Sequence, residues 1–334
     1  MSKRILFITK QSQGYHGTYS YNSSGLLNSA QFVVRMLIDQ GIEARLVTVH
    51  DNNDIDREVD VYRPDVVIIE ALWVVPSKFE VLSQLYPNVT WIVRIHSDIP
   101  FLAQEGVAVQ WIKEYAQFPS VFVGFNSHRA LQSFVPIVSR EKLVYFPNYF
   151  PVENREYTGH KNPYYINVGC FGAIRPLKNQ LMQAMAAIKY AESEGRILHF
   201  HINSTRVEGG HEVLKNLRSL FRNSGHRLVE HIWHSHRAFQ CVLERMDVAM
   251  CVSLSETFCI VAADAVSLGV PLVCSSEVPW ASKGSVVDAT SVKDITDGIS
   301  RALAWKAFHK YMNKRSLREY DSRSVEVWKR FLEE

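Results

Sequence analysis

The sequence predicts an α/β protein made of two doubly wound domains in tandem, and three observations carry that reading. The chain has 334 residues, more than one hydrophobic core commonly organises. Short β-branched or aliphatic runs alternate with amphipathic stretches of helix length, the pattern of a parallel sheet with helical crossovers. The alternation stops at a proline-containing segment near residue 150 and restarts beyond it.

Taken in order, Met1-Ser-Lys-Arg leads directly into the apolar run 5–8. That run is too short for the core of a secretory signal and reads as a first buried strand. Runs 44–49, 66–69, 91–95 and 121–125 supply further strands of the first domain. Between the first two, residues 26–40 place Phe32, Val33, Met36 and Leu37 on one helical face and stop at Gly41, a C-cap residue free to adopt positive φ. Tyr145-Phe-Pro-Asn-Tyr-Phe-Pro151 has no helical period, and the polar stretch 152–162 follows it. The domain linker belongs here, dividing the chain into 1–150 and 151–320. In the second half, runs 166–171, 197–202, 228–233, 248–252 and 272–274 read as strands, and 179–192, 212–222 and 258–268 as helices. Asp321-Ser322 forms an N-cap for a last helix, 321–334, whose Val325, Trp328 and Leu332 share a face and suit packing back on the first domain.

An apolar fraction of 47% and a charged fraction of 21% are those of a folded globular enzyme. Lys plus Arg (37) nearly cancels Asp plus Glu (34), which excludes a global cationic field for non-specific nucleic-acid binding. All five cysteines fall in the second half, several within apolar runs, and together with the missing signal they point to a reducing cytoplasm. No apolar stretch approaches the roughly 18 residues of a membrane span.

The stretch most informative about chemistry is Ser253-Leu-Ser-Glu-Thr-Phe-Cys-Ile-Val-Ala-Ala-Asp264. A strand end is followed by a turn and then by an apolar helix that closes at Gly269-Val-Pro271. Backbone N–H groups of Phe258, Cys259 and Ile260 in the first turn, aided by the helix dipole, suit a diphosphate. Glu256 precedes the helix, and Asp264 lies about two turns along it, within reach of a ribose hydroxyl. This segment resembles the Glu-x7-Glu signature of the retaining glycosyltransferases of the GT-B fold, with Asp264 in place of the second glutamate and Cys259 in place of the usual glycine. Gly269-Val-Pro-Leu-Val-Cys-Ser275 is similar to the Gly-x-Pro-Val-Val run that follows the helix in that family, and Asn148 resembles the asparagine of its linker.

The loop Gly172-Ala-Ile-Arg-Pro-Leu-Lys-Asn179 is similar to the family's Gly-Arg-x-x-x-x-Lys-Asn motif, with its arginine displaced to Arg175. The resemblance makes Lys178 and Arg175 the cations that neutralise the departing diphosphate, a role that substitutes for a metal. It also implies that Gly25 forms the close-approach loop of the first domain, that His96 at a strand end orients the transferring sugar, and that Trp233 frames the nucleobase. The clusters His231, His234, His236 and His199, His201 lack the carboxylate or thiolate set of a metal site, and Asp54-Ile-Asp56 sits in a polar run that reads as a solvated loop. No cofactor or metal is expected.

On the acceptor side, Tyr15, Tyr19 and Tyr21 follow the first strand and could stack on sugars or bases, while Lys10 and Arg94 at strand ends could contact phosphates. The expected activity is metal-independent, retaining transfer from a nucleotide-sugar, such as a UDP-sugar, to an acceptor hydroxyl across a cleft between two facing domains. Hydroxymethylcytosine in phage DNA is one acceptor and a bacterial surface glycan another. A non-catalytic nucleotide-sugar or nucleic-acid binding module of the same fold is the alternative of another class.

Overall fold

Runs such as Ile5-Leu-Phe-Ile8 are apolar at every position, so they form strands only where both sheet faces are covered. The protein, a computed structural model describing residues 3–11, 25–153 and 162–333, meets that demand twice. The chain divides into one compact unit of Met1–Pro151 with Asp321–Glu334, and another of Val152–Tyr320.

In the first unit, strands β1 (Arg4–Lys10), β2 (Glu43–Val49), β3 (Val66–Glu70), β4 (Thr90–Ile95), β5 (Val121–Phe125) and β6 (Leu143–Tyr145) form a parallel sheet in the order β2-β1-β3-β4-β5-β6. Helices α1 (Gly25–Asp39), α2 (Ile55–Tyr62), α3 (Lys78–Leu85), α4 (Ile99–Leu102), α5 (Ala108–Tyr115) and α6 (His128–Phe134) lie between strands. The two-residue period of a strand sends Ile5 and Phe7 to one face, against Met36, Leu37 and Trp328. Leu6 and Ile8 go to the other, with Phe79, Trp91 and Tyr115.

The second unit repeats the design with β7 (Tyr165–Gly169), β8 (Ile197–Asn203), β9 (Arg227–His231), β10 (Val248–Cys251), β11 (Leu272–Ser275) and β12 (Val286–Val287), all parallel, in the order β12-β11-β10-β7-β8-β9. Its helices are α7 (Gln180–Ser193), α8 (His211–Phe221), α9 (His236–Leu243), α10 (Ile260–Leu268) and α11 (Val292–Ala304), and α12 (Lys306–Glu333) continues into the first unit.

Four sequence expectations are corrected. Strands β6 and β12 were not expected, because runs of three and two residues carry no readable period. Strand β7 ends at Gly169, not at 171, since the chain turns toward Gly172 at positive φ. Helix α10 begins at Ile260 instead of Phe258, because Cys259 sits at φ 63° in the left-handed region and cannot be helical.

The fourth concerns the chain's end. Residues 306–333 contain neither glycine nor proline and run as one helix, so Asp321 lies in its interior and caps nothing. Its carboxylate instead accepts the Phe150 N–H at 3.0 Å. Further along, Trp328 stacks on Phe146 with centroids 4.3 Å apart and donates its indole N–H to the Pro147 carbonyl at 3.0 Å.

Burial raises the Asp321 pKa to about 7, with the Phe150 N–H partly opposing it. The folded state therefore holds a proton that the unfolded chain releases near pH 4, and stability falls as pH rises from about 4 to 7. Asp321→Asn, which retains an acceptor for Phe150, is expected to flatten that fall and raise the melting midpoint at pH 8, as read by circular dichroism. Among the described residues, no helix is long and apolar enough to cross a membrane.

Candidate functional site

In the second unit β7 and β10 are neighbours, paired Val168↔Val248, while the chain proceeds from them toward opposite sheet edges. A doubly wound sheet opens a crevice at such a switch point, beyond the carboxyl ends of its strands. The two loops that leave it there are the ones singled out in the sequence. They are stitched together: Leu254 N–H donates to Leu177 O at 2.8 Å, and Asn179 Nδ2 reaches Val252 O at 3.1 Å and Ala289 O at 2.8 Å.

This stitching brings Lys178 Nζ onto the Glu256 carboxylate, which also accepts from Ser253 Oγ at 2.8 Å. Burial disfavours the ammonium, but the Glu256 charge and hydrogen bond outweigh it, so the Lys178 pKa stays above the ordinary lysine range. Cys170, Phe171, Cys251 and Cys259 line the same small pocket.

Gly172, at φ 117°, donates its N–H to Asn203 Oδ1 at 3.0 Å, and an added Cβ would meet Lys178 Cε only at an ordinary contact distance of 3.9 Å. Because that φ suits glycine alone, Gly172→Ala should cost about 1–3 kcal/mol. A lowered urea midpoint checks it.

At the amino end of α10, Ala263 N–H makes the bond to Cys259 O, so the amides of Ile260, Val261 and Ala262 lack intrahelical acceptors. These first-turn donors thus lie two residues later than the expected 258–260. Phe258 is buried against Trp280 and Tyr320 and accepts the Trp280 indole N–H at 2.7 Å, a packing role. A side chain in left-handed conformation at Cys259, where glycine is usual, stores about 1–2 kcal/mol of strain.

Asp264 is placed differently from the expectation. It is buried, and its Oδ1 accepts from His236 Nε2 at 2.7 Å and Gln240 Nε2 at 3.1 Å, both from α9. Burial raises its pKa and the His236 contact lowers it; burial likewise works against the His236 imidazolium, while the bond to Asp264 raises that pKa above the usual histidine value. The structure moves Asp264 from ligand contact to support of His236.

Arg175 is likewise engaged, pairing with Glu208, which also takes Arg206 Nε at 2.5 Å. Arg206 in turn lies 4.7 Å from the Trp233 ring centroid, and the Trp233 amide donates to Thr205 Oγ1 at 2.9 Å. Trp233 and Arg175 therefore belong to one loop cluster held by the 204–210 segment.

The histidines bond one another: His201 Nδ1 meets His231 Nε2 at 2.9 Å and His201 Nε2 meets Asn167 Oδ1 at 3.2 Å. Since the amide oxygen accepts, His201 donates through Nε2 and receives through Nδ1. Burial pulls its pKa down to about 3, so this chain stays neutral near pH 7.

In the first unit the carboxyl ends of β3 to β6 gather a polar cluster. Glu70 is fully enclosed and receives both Arg94 Nη1, at 3.0 Å, and His96 Nε2. Arg94 also donates to Phe146 O, Pro147 O and Asn148 Oδ1, the last at 2.7 Å. Asn126 Nδ2 lies 3.4 Å from His96 Nδ1. Burial pushes Glu70 upward, but Arg94 and His96 hold it below the usual carboxylate range; burial lowers the His96 pKa, with Glu70 opposing.

Arg94 is therefore not an acceptor-side cation, because its guanidinium is enclosed and bonded on every side. Lys10 lies 5.9 Å from the Trp73 ring centroid, and Gly25 opens α1. Tyr15, Tyr19 and Tyr21 lie outside the described residues. Sequence reasoning missed Glu70, Ser253, Glu208 and His236. The signal for Glu70 was present: a carboxylate ending the apolar run Val66-Val-Ile-Ile-Glu70, and the sheet sets it in register with Arg94 at the end of β4.

No family model and no curated protein matches the chain in sequence. Solved structures do match in shape. The OtsA apo structure has a TM-score of 0.72 at 10% identity, covering 99% of each chain. Sucrose-phosphate synthase from Thermosynechococcus elongatus has 0.69 at 13%, covering 99% of this chain and 96% of its own. HepE from Anabaena in complex with UDP and glucose has 0.67 at 13%, covering 99% and 98%. With two parallel six-stranded sheets and interleaved helices along nearly the whole of these chains, the protein has the GT-B fold.

Proposed function

We propose that this chain is a glycosyltransferase that takes its sugar from a nucleotide-sugar donor, by preference a UDP-sugar. The observation that carries the reading is the Lys178–Glu256 pair with Ser253, set beside the open amino end of α10 at the switch point of the second sheet. An ammonium kept protonated, together with helix-start amides that have no intrahelical acceptor, is suited to the negative charge that builds on a leaving diphosphate. HepE, a neighbour in fold, is a structure with UDP and glucose bound, which supports the choice of donor.

In this reading the donor diphosphate lies against Lys178 and the amides of 260–262, and displaces the ammonium from Glu256, which turns to the sugar hydroxyls. Arg175 and Arg206 share one carboxylate, Glu208, and so leave a net positive charge near Trp233, against which the base stacks. The bond from the anomeric carbon to the diphosphate oxygen breaks through an oxocarbenium-like state, and the acceptor hydroxyl enters from the same face and passes its proton to the departing phosphate oxygen, which gives retention and needs no metal. The acceptor is a hydroxyl, and hydroxymethylated DNA and a glycan are the two arms of its assay.

The test is thermal shift followed by turnover. UDP should raise the melting midpoint by mass action, and one of a panel of UDP-sugars should be consumed in the presence of either acceptor. If UDP and every donor leave both the midpoint and sugar release unchanged, the reading fails.

A further inference from the structure

Over its first half helix α12 buries several polar side chains alongside Leu317. A helix on a protein surface buries its apolar side and exposes its polar side. Here the inward side carries His309, Asn313 and Lys314, all buried and bonded to polar partners. Asn313 Oδ1 accepts the Ser282 N–H at 3.0 Å, its Nδ2 donates to Ser285 Oγ at 2.7 Å, and Lys314 Nζ donates to Glu153 O at 3.2 Å.

The outward side carries the rings. Trp305, at the non-helical turn where α11 hands over to α12, is 68% exposed, and Phe308 at 59% and Tyr311 at 62%, three residues apart, lie on one flank of α12 that starts at this turn. Segment 305–318 holds five Lys or Arg and neither Asp nor Glu. Arg315 and Arg318 are exposed at the end of the aromatic flank, Arg315 in a pair with Glu319 at 2.8 Å. Positive charge is concentrated enough that burial, together with Lys310 and Arg318, pulls the Lys314 pKa below its ordinary value.

We infer that the Trp305–Phe308–Tyr311 flank of α12 docks the protein on an anionic lipid surface, the rings entering the headgroup region and Arg315 and Arg318 meeting lipid phosphates. Tryptophan and tyrosine suit that boundary because each has an apolar body and a polar edge, and binding there grows with inserted apolar area plus attraction to anionic lipid. A second copy of the chain fits poorly, since a two-fold contact would set the same cations against each other. A polyphosphate such as nucleic acid draws its affinity mainly from the number of outward cations, and this flank offers more ring than charge. The inference stands apart from the proposed transfer reaction and uses none of its residues.

Co-sedimentation with vesicles of phosphatidylcholine, with and without phosphatidylglycerol, tests it on the full chain. Wild type should pellet with the phosphatidylglycerol vesicles and far less with the neutral ones. Because the three rings are exposed, Trp305→Ser/Phe308→Ser/Tyr311→Ser should fold and melt as wild type does yet partition about tenfold less or weaker. Arg315→Ser/Arg318→Ser should lose the preference for anionic lipid and keep the residual neutral binding. Equal partitioning of wild type and triple variant overturns the proposal. So does binding of duplex or single-stranded DNA without vesicle binding, or a concentration-dependent dimer that the triple variant abolishes.

Discussion

Replacing Lys178 by alanine is expected to lower kcat/KM for sugar transfer by about 10²–10³, the loss seen when one preorganised donor to developing charge is removed. Among the described residues, Glu256 then keeps the Ser253 hydroxyl at 2.8 Å. The effect should fall mainly on kcat, because charge on the leaving diphosphate is greatest in the transition state. Lys178→Arg keeps the charge but not the shape, and should recover only part of the rate. Initial rates with a saturating UDP-sugar and a melting curve for each variant separate catalysis from folding. A Lys178→Ala enzyme turning over within about twofold of wild type would remove the basis of the proposed donor site.

Arg94→Met should destabilise the first unit by about 3–5 kcal/mol, the loss typical of breaking a buried ion pair. Both partners are wholly enclosed: among the described residues Glu70 would keep His96 beside it, and the carbonyls of Phe146 and Pro147 and the Asn148 amide oxygen would lose a donor. Glu70→Gln/Arg94→Met, in which no lone carboxylate remains, should cost less than the sum of the single changes. Urea unfolding followed through tryptophan emission measures this, since Trp328 lies 5.3 Å from the Arg94 guanidinium. Equal midpoints for Arg94→Met and wild type would show that the cluster does not hold the unit together.

Much of the fold was legible because parallel strands buried on both faces leave a local mark. Every strand of at least four residues was anticipated within a few residues of its observed bounds, as was helix α1, from its apolar face to its Gly41 stop. The short strands β6 and β12 left no such mark, since pairing with β5 and β11 defines them and no period of their own does. The break in α12 expected at Asp321 failed for a related reason. A residue that favours caps was read as a cap, while its carboxylate was taken up by Phe150, 171 residues away in sequence.

In the second unit, residue type and spacing along each of two separate loops singled out Lys178 and Glu256, which the structure brings into direct contact. The same reasoning placed Asp264 and Arg94 on the ligand side, and both are enclosed.

Sequence alone determined the alternation of strand and helix and singled out the two loops that leave the switch point, because these depend on periods and turn residues a few positions apart. Tertiary structure decided which charges are offered and which are used up. Glu70 claims Arg94 and His96, Glu208 claims Arg175, and His236 covers Asp264, each across at least 24 residues of chain. A buried charge has to find its counter-ion wherever the fold supplies one, and that partner is invisible until distant strand ends are set side by side.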